Sequence, residues 1–367
     1  MKTLARLILK ILPKNISNII KNIYHQSQRD KLSPNWDRVT NFKPKKEIVL
    51  GFVGAGRYAQ HHLKSFSKIQ NVNLKYLLSA TGRNSEQLTN EYKFQETYTD
   101  ITEFMKNDVD GYVIVSSSSS IYNIAKKLFS KKKPILIEKP PGFTSTETKD
   151  LAEIASKNKT FGMVALNRRY YSDIQHGLAM LADYGPIRGA ILEVPADISK
   201  KRSQKKLTEI EYQKYFIRNS IHGFDTLRHI MGGVKKLKSM GETNSENLNR
   251  GLSGGAVIEH KSGTFSIIST LWDSAPYYWK IKIIGERGYL EYSEKGGTKF
   301  TDSNMNIYNI PIHKIDSDFK QGNYMQALEF VKSISTKTHP QFPACSLEDA
   351  LETILFMEDY EKGLNGA

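Results

Sequence analysis

The sequence predicts an α/β N-terminal domain built on a doubly wound parallel sheet, followed by an α+β C-terminal domain with an open, mainly antiparallel sheet. Between residues 47 and 166, short apolar runs alternate with amphipathic stretches of helical spacing, which is the rhythm of βαβ units. Between residues 187 and 292, strand-like runs follow one another instead. A chain of 367 residues also exceeds the usual size of one domain.

Each element follows from the period of its apolar residues. In the first domain we predict strands at residues 47–53, 74–79, 111–116, 134–137 and 162–166, and helices at residues 59–67, 85–92 and 121–130. In the second domain we predict strands at residues 187–198, 256–260, 264–271, 278–284 and 289–292, and a late helix that begins near residue 346. The resulting boundaries are an N-terminal extension and linker at 1–46, the parallel-sheet domain at 47–165 and the second domain at 166–367.

The bulk composition is that of an ordinary globular protein, with 39% hydrophobic and 25% charged residues. The single cysteine, Cys345, cannot form an internal disulfide, and this fits a cytoplasmic protein. The net charge of +15 is concentrated in residues 1–47, which hold 11 Lys or Arg and 3 Asp or Glu. The remainder has neither zinc-ligand spacing nor the aromatic pattern of an RNA-binding surface, so we expect no metal and no nucleic-acid partner.

The N-terminal extension is a basic amphipathic segment. Its Leu and Ile residues recur at spacings of three and four over residues 1–23, with five Lys or Arg and no acid among them, and Pro13 interrupts the pattern. It is too charged to span a membrane, and it lacks the apolar core and cleavage site of a secretory signal. Two interpretations stay open: docking on the protein or a sister subunit, or peripheral contact with the anionic inner face of the membrane.

The turn after the first predicted strand is specific. Gly54-Ala-Gly56-Arg57-Tyr58-Ala59 has the spacing of a dinucleotide-binding fingerprint, with a strand before it and a helix after it. Gly54 permits the tight turn, Gly56 lets the backbone approach a pyrophosphate, and Ala59 lets the helix pack against the strand. We therefore predict a Rossmann domain that binds NAD or NADP over the helix N-terminus.

The end of the second predicted strand concerns the choice between the two cofactors. Enzymes that prefer NAD usually carry an Asp or Glu there to bind the ribose 2′-hydroxyl. Residues 79–84 contain no carboxylate, whereas Thr81 and Arg83 are suited to the 2′-phosphate of NADP. We expect NADP to be favoured; the alternative is that Arg83 is an ordinary solvated loop residue.

Two further motifs carry a family resemblance. Ile137-Glu138-Lys139-Pro140-Pro141 and Leu166-Asn167-Arg168-Arg169-Tyr170, together with the glycine turn, resemble the glucose–fructose oxidoreductase and inositol dehydrogenase family (Gfo/Idh/MocA). The resemblance runs from residue 47 to the end of the chain. It implies a Rossmann domain joined to an α/β domain with an open antiparallel sheet, and an NAD(P)-dependent oxidoreductase.

The resemblance also implies two catalytic residues. The Lys of the Glu-Lys-Pro motif lies beside the nicotinamide and the reacting hydroxyl in this family, which implies that role for Lys139; Glu138 goes with it to the cofactor site. A Lys near a cationic ring has a lowered pKa and suits proton transfer. The matching helix segment, residues 219–228, puts His222 at the place of the family's catalytic His. Many members have an Asp four residues before this His, but this chain has Arg218.

A second departure follows the third predicted strand. The family commonly has Thr-Pro there and a His a few residues later, whereas this chain has Ser116, Ser117 and Ser118, and Tyr122 in place of the His. Serines at the carboxyl end of a parallel strand still line a cofactor crevice. A flexible serine loop is the alternative.

Arg168, Arg169 and Tyr170 follow the strand predicted at 162–166 and are expected at the domain cleft. Arg side chains suit hydroxyl-rich or anionic substrates, although structural ion pairs are an equally good interpretation. Asn219 and Asp225, on the His222 segment, complete the predicted substrate site.

Three functions compete. The leading prediction is an NAD(P)-dependent dehydrogenase or reductase of a sugar, polyol or nucleotide sugar in carbohydrate or surface-polysaccharide metabolism, assembled as a homo-oligomer through the C-terminal sheet. The second is a non-catalytic nucleotide-binding sensor or scaffold, which the loss of the Asp before His222 favours. The third is a glycoside-cleaving enzyme that oxidises and re-reduces its sugar.

Overall fold

A computed structural model describes residues 40–197, 208–243, 252–273 and 279–364. The amphipathic segment predicted at 1–23, most of the linker, and the end of the strand predicted at 187–198 lie outside the described residues. Within the described ranges, no helix is both long and apolar enough to cross a membrane.

The first sheet has seven strands. Its central strands are short apolar runs because helices bury the sheet from both faces. Its order is β15-β6-β5-β4-β1-β2-β3, and all pairs are parallel except β15 with β6. The strands are β1 (Ile48–Val53), β2 (Val72–Leu78), β3 (Glu96–Tyr98), β4 (Gly111–Ile114), β5 (Ile135–Ile137), β6 (Gly162–Val164) and β15 (Cys345–Ser346).

The second sheet has eight strands in the order β14-β13-β12-β11-β7-β10-β9-β8, antiparallel apart from β10 with β7. Its strands are β7 (Ile187–Glu193), β8 (Val234–Thr243), β9 (Leu252–His260), β10 (Phe265–Leu271), β11 (Lys280–Gly285), β12 (Gly288–Ser293), β13 (Gly297–Asp302) and β14 (Ile307–Ile310). Side chains alternate along each strand, so one face packs on helices while the other is solvent-exposed.

The helices cover the faces of the two sheets. They are α1 (Ala59–Phe66), α2 (Ser85–Tyr92), α3 (Ile101–Phe104), α4 (Ser118–Phe129), α5 (Ser145–Lys157), α6 (Ser172–Ala182), α7 (Glu209–Gln213), α8 (Tyr215–Met231), α9 (Lys314–Asp318), α10 (Asn323–Thr336) and α11 (Leu347–Leu364), with a 3₁₀ turn at Asn167–Tyr170. The predicted fold class, a parallel-sheet domain followed by an open, mainly antiparallel sheet, is confirmed.

The structure adds elements that the sequence patterns did not predict. β3 is short and exposed, β8 is rich in lysine, and β13 and β14 alternate weakly, so none of them has a clear apolar period. The C-terminal part of the chain also returns to the first domain: α10 packs on α1 and β1, and β15 joins the first sheet beside β6. The boundary predicted at residue 165 therefore does not separate two continuous halves.

Candidate active site at the carboxyl edge of the parallel sheet

The candidate site lies where the order of the parallel strands reverses, between β1 and β4. The carboxyl ends of β1, β4, β5 and β6 lie side by side, and each leads into a motif singled out in the sequence: the glycine turn, the serine loop, Glu138-Lys139 and the 3₁₀ turn. Ligands of doubly wound sheets bind in this crevice. The sheet therefore brings together four motifs that lie far apart in the chain.

The glycine turn has the shape of a dinucleotide cradle. Gly54 has φ +111°, and a Cβ at this position would lie 2.1 Å from the carbonyl oxygen of Val115. A Cβ on Gly56 would meet no atom within 4 Å, so open space lies next to its backbone. Helix α1 begins at Ala59 with no side-chain hydrogen bond to its first N–H groups. These N–H groups and the space beside Gly56 fit a pyrophosphate.

Arg57 and Tyr58 are exposed at the mouth of this turn. Thr81 and Arg83 are exposed on the loop after β2, and the amide of Asn84 donates a 2.9 Å hydrogen bond to the Ala55 carbonyl. This hydrogen bond attaches the loop after β2 to the glycine turn.

The serine loop closes the other side of the crevice. Ser117 is the residue before α4, and its hydroxyl contacts that of Ser120 at 2.8 Å. Ser120 also reaches Ser116, at 3.2 Å, and Ser118 begins the helix. These bonds make the serines an ordered loop. Tyr122 points to α5 instead, where its hydroxyl donates a 2.6 Å bond to Asp150.

A buried contact between His62 and Glu138 positions the Glu-Lys-Pro motif. The Glu138 carboxylate accepts the backbone N–H of Lys139 at 3.0 Å and contacts Nε2 of His62 at 2.7 Å. His62 is only 2% exposed, on the face of α1 that carries Ala59, Leu63 and Phe66. The glycine-turn helix therefore fixes the backbone from which the Lys139 side chain extends.

The surroundings of Lys139 lower its pKa. Its ammonium donates a 3.1 Å hydrogen bond to the Arg218 carbonyl on α8. The pKa of Lys139 is lowered to about 8: burial is the main cause, the charge of Glu138 partly offsets it, and the charges of Arg218, Arg168 and Lys320 contribute to the lowering. A group with this pKa exchanges its proton readily near neutral pH.

His222 lies on α8, one turn after Arg218, and is 8% exposed. Burial lowers its pKa well below the usual range, and the charges of Lys139, Arg168 and Lys320 act in the same direction. Its Nδ1 is buried and neither accepts nor donates a hydrogen bond within the described structure. His222 is therefore a neutral imidazole with a free nitrogen next to the lysine.

Arg168 is held at the rim of the cleft. Its guanidinium lies 3.9 Å from the centre of the Trp279 ring and 3.0 Å from the Glu294 carboxylate, which also accepts the Trp279 indole N–H at 2.8 Å. Asn219 is half-buried, next to Arg218 on α8. Both residues are thus only partly buried.

The other three predicted substrate residues are structural in this arrangement. Arg169 and Asp225 are 2% and 1% exposed and bind each other through two hydrogen bonds, and Arg169 also binds Asp349 on α11. Tyr170 is 3% exposed within the apolar core under α10. We therefore reassign Arg169, Tyr170 and Asp225 from the substrate to the framework, because their polar groups are engaged or sealed from the cleft.

Four residues of the site were missed by the sequence patterns: His62, Trp279, Glu294 and Lys320. Only His62 could have been found from the sequence, because it is a polar residue on the apolar face of an amphipathic helix. The other three reach the cleft through contacts between distant segments, which no local spacing reveals.

Comparison with known proteins agrees with this geometry. Residues 48–166 match the family described as oxidoreductase family, NAD-binding Rossmann fold (GFO_IDH_MocA). An uncharacterized oxidoreductase of Bacillus subtilis (strain 168) is 24% identical over 192 residues, 51% of this chain and 54% of that protein. The chain thus matches about half the length of this relative.

Solved structures are similar over most of the chain. An oxidoreductase from Agrobacterium radiobacter, in complex with NAD+, L-tartaric acid and magnesium, has a TM-score of 0.71 at 16% identity and covers 88% of this chain and 98% of its own. A UDP-N-acetylglucosamine 3-dehydrogenase from Acidithiobacillus ferrooxidans has a TM-score of 0.71 at 15% identity and covers 87% and 98%. At these identities the likeness shows a shared fold.

Proposed function

We propose that this chain is an oxidoreductase of the Gfo/Idh/MocA family, whose NAD-binding Rossmann fold residues 48–166 match. In this proposal it transfers hydride between a nicotinamide cofactor and a hydroxyl or ketone carbon of a sugar, polyol or nucleotide sugar. The observation that carries the proposal is the buried Lys139, with a pKa of about 8, beside the neutral His222 at the edge of the dinucleotide cradle. The nicotinamide, when bound, accepts or supplies the hydride.

In this proposal Lys139 transfers the proton. During oxidation its neutral amine accepts the proton of the reacting hydroxyl, and during reduction its ammonium returns one. The Glu138–His62 pair and the Arg218 carbonyl hold the lysine in place. His222 is too weak a base to hold a proton near neutral pH, so it orients the substrate through a hydrogen bond to its free nitrogen.

A screen of sugars, polyols and nucleotide sugars, followed by nicotinamide absorbance, tests the proposal with full-length protein. Lys139→Ala should lower kcat by about 10²–10⁴-fold while fluorescence titration gives the same NADH affinity. His222→Ala should cost less. Lys314→Ala, an exposed lysine outside the site, is the control.

Each competing function predicts a different result. If the protein cleaves a glycoside without a net change in nicotinamide absorbance, the sugar is oxidised only transiently and then reduced again. That result would contradict the proposed net hydride transfer. Cofactor binding with no turnover of any compound would favour a sensor or scaffold. Unchanged kcat in Lys139→Ala would contradict the role given to this residue.

We extend the proposal to the cofactor, where NADP is favoured over NAD. Thr81 and Arg83 are exposed on a loop attached to the glycine turn, and residues 79–84 carry no carboxylate to repel a 2′-phosphate. The charge of Arg83 supports the preference.

We also propose that a second copy of the chain covers the outer face of the second sheet. This face exposes Val257, Phe265, Ile267 and Leu271, each about half exposed, and all four lie on the paired strands β9 and β10. Lys280–Glu193 ion pairs flank the apolar centre, so a twofold-related copy would meet both apolar side chains and charges of opposite sign.

Peripheral membrane contact through residues 1–23 stays a proposal that rests on their sequence alone. Co-sedimentation of the full chain with anionic and neutral vesicles distinguishes it from docking on the protein.

A further inference from the structure

Lys320 is a cation at the cleft without a counter-ion. Its side chain is half-buried, its ammonium lies 5.1 Å from the centre of the Tyr58 ring, and it forms an ion pair with no carboxylate of the described residues. Burial lowers the pKa of Lys320 and the nearby charge of Arg168 lowers it further, while the charges of Glu138 and Glu294, which are bound to other residues, offset only part of this. An unpaired cation in this position is unfavourable unless a ligand supplies the negative charge.

The turn that carries Lys320 is fixed to the segment that carries Arg168. Gly322 has φ +77°, and a Cβ there would lie 2.1 Å from the Asn167 carbonyl oxygen. The Asn167 amide donates a 2.7 Å hydrogen bond to the Gln321 carbonyl. The glycine thus allows a close approach that holds Lys320 and Arg168 next to each other.

Arg168 is equally restrained, since its guanidinium lies on Trp279 and is bound by Glu294. One carboxylate occupies only part of its five donors. An arginine pre-oriented on an aromatic ring is suited to bind a planar or tetrahedral anion.

The carboxylates around Lys139 and His222 already have protein partners. Glu138 is bound by His62, Glu294 by Arg168 and Trp279, and Glu211 caps α7 and lies 3.7 Å from Arg218. The cleft therefore holds four cations, Lys139, Arg168, Arg218 and Lys320, against three carboxylates. Arg218 adds to this excess, because Glu211 lies 3.7 Å from it and also caps α7.

We propose that the substrate carries an anionic group, a carboxylate or a phosphate, that binds between Arg168 and Lys320 next to Lys139 and His222. The inference rests on the proposed hydride transfer and narrows its substrate class to acidic or phosphorylated sugars. The two sources share their chemistry: oxygen anions that accept hydrogen bonds from a guanidinium and an ammonium.

Calorimetric titration of the NADH-loaded full chain with sugars tests whether an anionic group binds between Arg168 and Lys320. D-Glucose and D-glucuronate differ in one carboxylate, so this pair tests a carboxylate. UDP-glucose tests a phosphate, with UDP as its reference. At least one charged sugar should bind more tightly than glucose, and its affinity should fall as salt is raised. Lys320→Met should weaken that binding about tenfold or more, the loss expected for one charge-assisted hydrogen bond. Lys314→Met removes the same charge from an exposed site and should have no effect.

The outcomes separate this inference from the function on which it rests. Failure of the unmodified chain to bind either NADH or NADPH would contradict the function itself. Normal NADH binding, with charged sugars that bind no better than glucose or do not bind, would overturn the inference alone. A Lys320→Met variant that loses NADH affinity instead of sugar affinity would assign Lys320 to the cofactor and overturn it too.

Discussion

Replacing Lys139 by Met should stabilise the protein while it abolishes proton transfer. The pKa of Lys139 is about 8 in the folded protein, against 10.5 for an unperturbed lysine. The folded state therefore binds this proton less tightly than the unfolded chain does. The resulting destabilisation is fully present below pH 8, shrinks between pH 8 and 10.5, and is absent at higher pH.

The size of the effect follows from the two pKa values. Their difference corresponds to about 3 kcal/mol at pH 7. Met also removes the 3.1 Å hydrogen bond to the Arg218 carbonyl, which is worth about 1 kcal/mol. The net gain of about 2 kcal/mol should raise Tm by about 2–3 °C in a chain of this size.

Thermal unfolding of the ligand-free protein at pH 7 and again at pH 10.5 measures this effect. Lys139→Met should unfold at a higher temperature than the unmodified chain at pH 7, and the difference should vanish or change sign at pH 10.5. Lys314→Met, which removes an exposed ammonium, should show no such pH dependence. A lower Tm for Lys139→Met at pH 7 would mean that the folded site stabilises the charged lysine, and the assignment of a lowered pKa would be refuted.

Three further predictions concern the reaction, the cofactor and the assembly. In the oxidation direction kcat/KM should rise about tenfold from pH 7 to pH 9, as the neutral fraction of Lys139 increases through its pKa of about 8; a flat profile would exclude it as the base. Arg83→Glu should weaken NADP binding more than NAD binding in fluorescence titrations, and equal effects would remove Arg83 from the cofactor site. Ile267→Asp should dissociate the oligomer in sedimentation velocity because it places a charge on the apolar sheet face, and an unchanged mass would place the interface elsewhere.

Much of the parallel sheet and its cofactor edge could be predicted from the sequence, because local patterns determine both. An apolar run such as residues 48–53 marks a buried strand, and the glycine spacing after it marks the tight turn. The βαβ rhythm then places the ends of β4, β5 and β6 at the same edge. The alternation of strands and helices predicts that Lys139 lies at this edge, whereas its catalytic role is implied by the family resemblance of the Glu-Lys-Pro motif.

The rest of the site depends on contacts between segments far apart in the chain. Arg169 had two equally good interpretations in the sequence, and only its burial against Asp225 and Asp349 decides for the structural one. Lys320 stands in a short turn with no motif, and its place in the cleft depends on the fit of Gly322 against Asn167. Contacts between segments that are far apart in the chain produce no periodic pattern in the sequence.

The excess of cations in the cleft links recognition to proton transfer. Arg218, Arg168 and Lys320 lower the pKa of Lys139, and Glu138 raises it. A bound anion between Arg168 and Lys320 would offset their charges and raise the pKa of Lys139 in the complex. The profile of kcat/KM reports the free enzyme and that of kcat the complex. With a charged sugar the inflection in kcat should therefore lie at higher pH than that in kcat/KM, whereas with a neutral sugar this displacement should be absent. Coincident inflections with a charged sugar would show that its anionic group binds away from these residues.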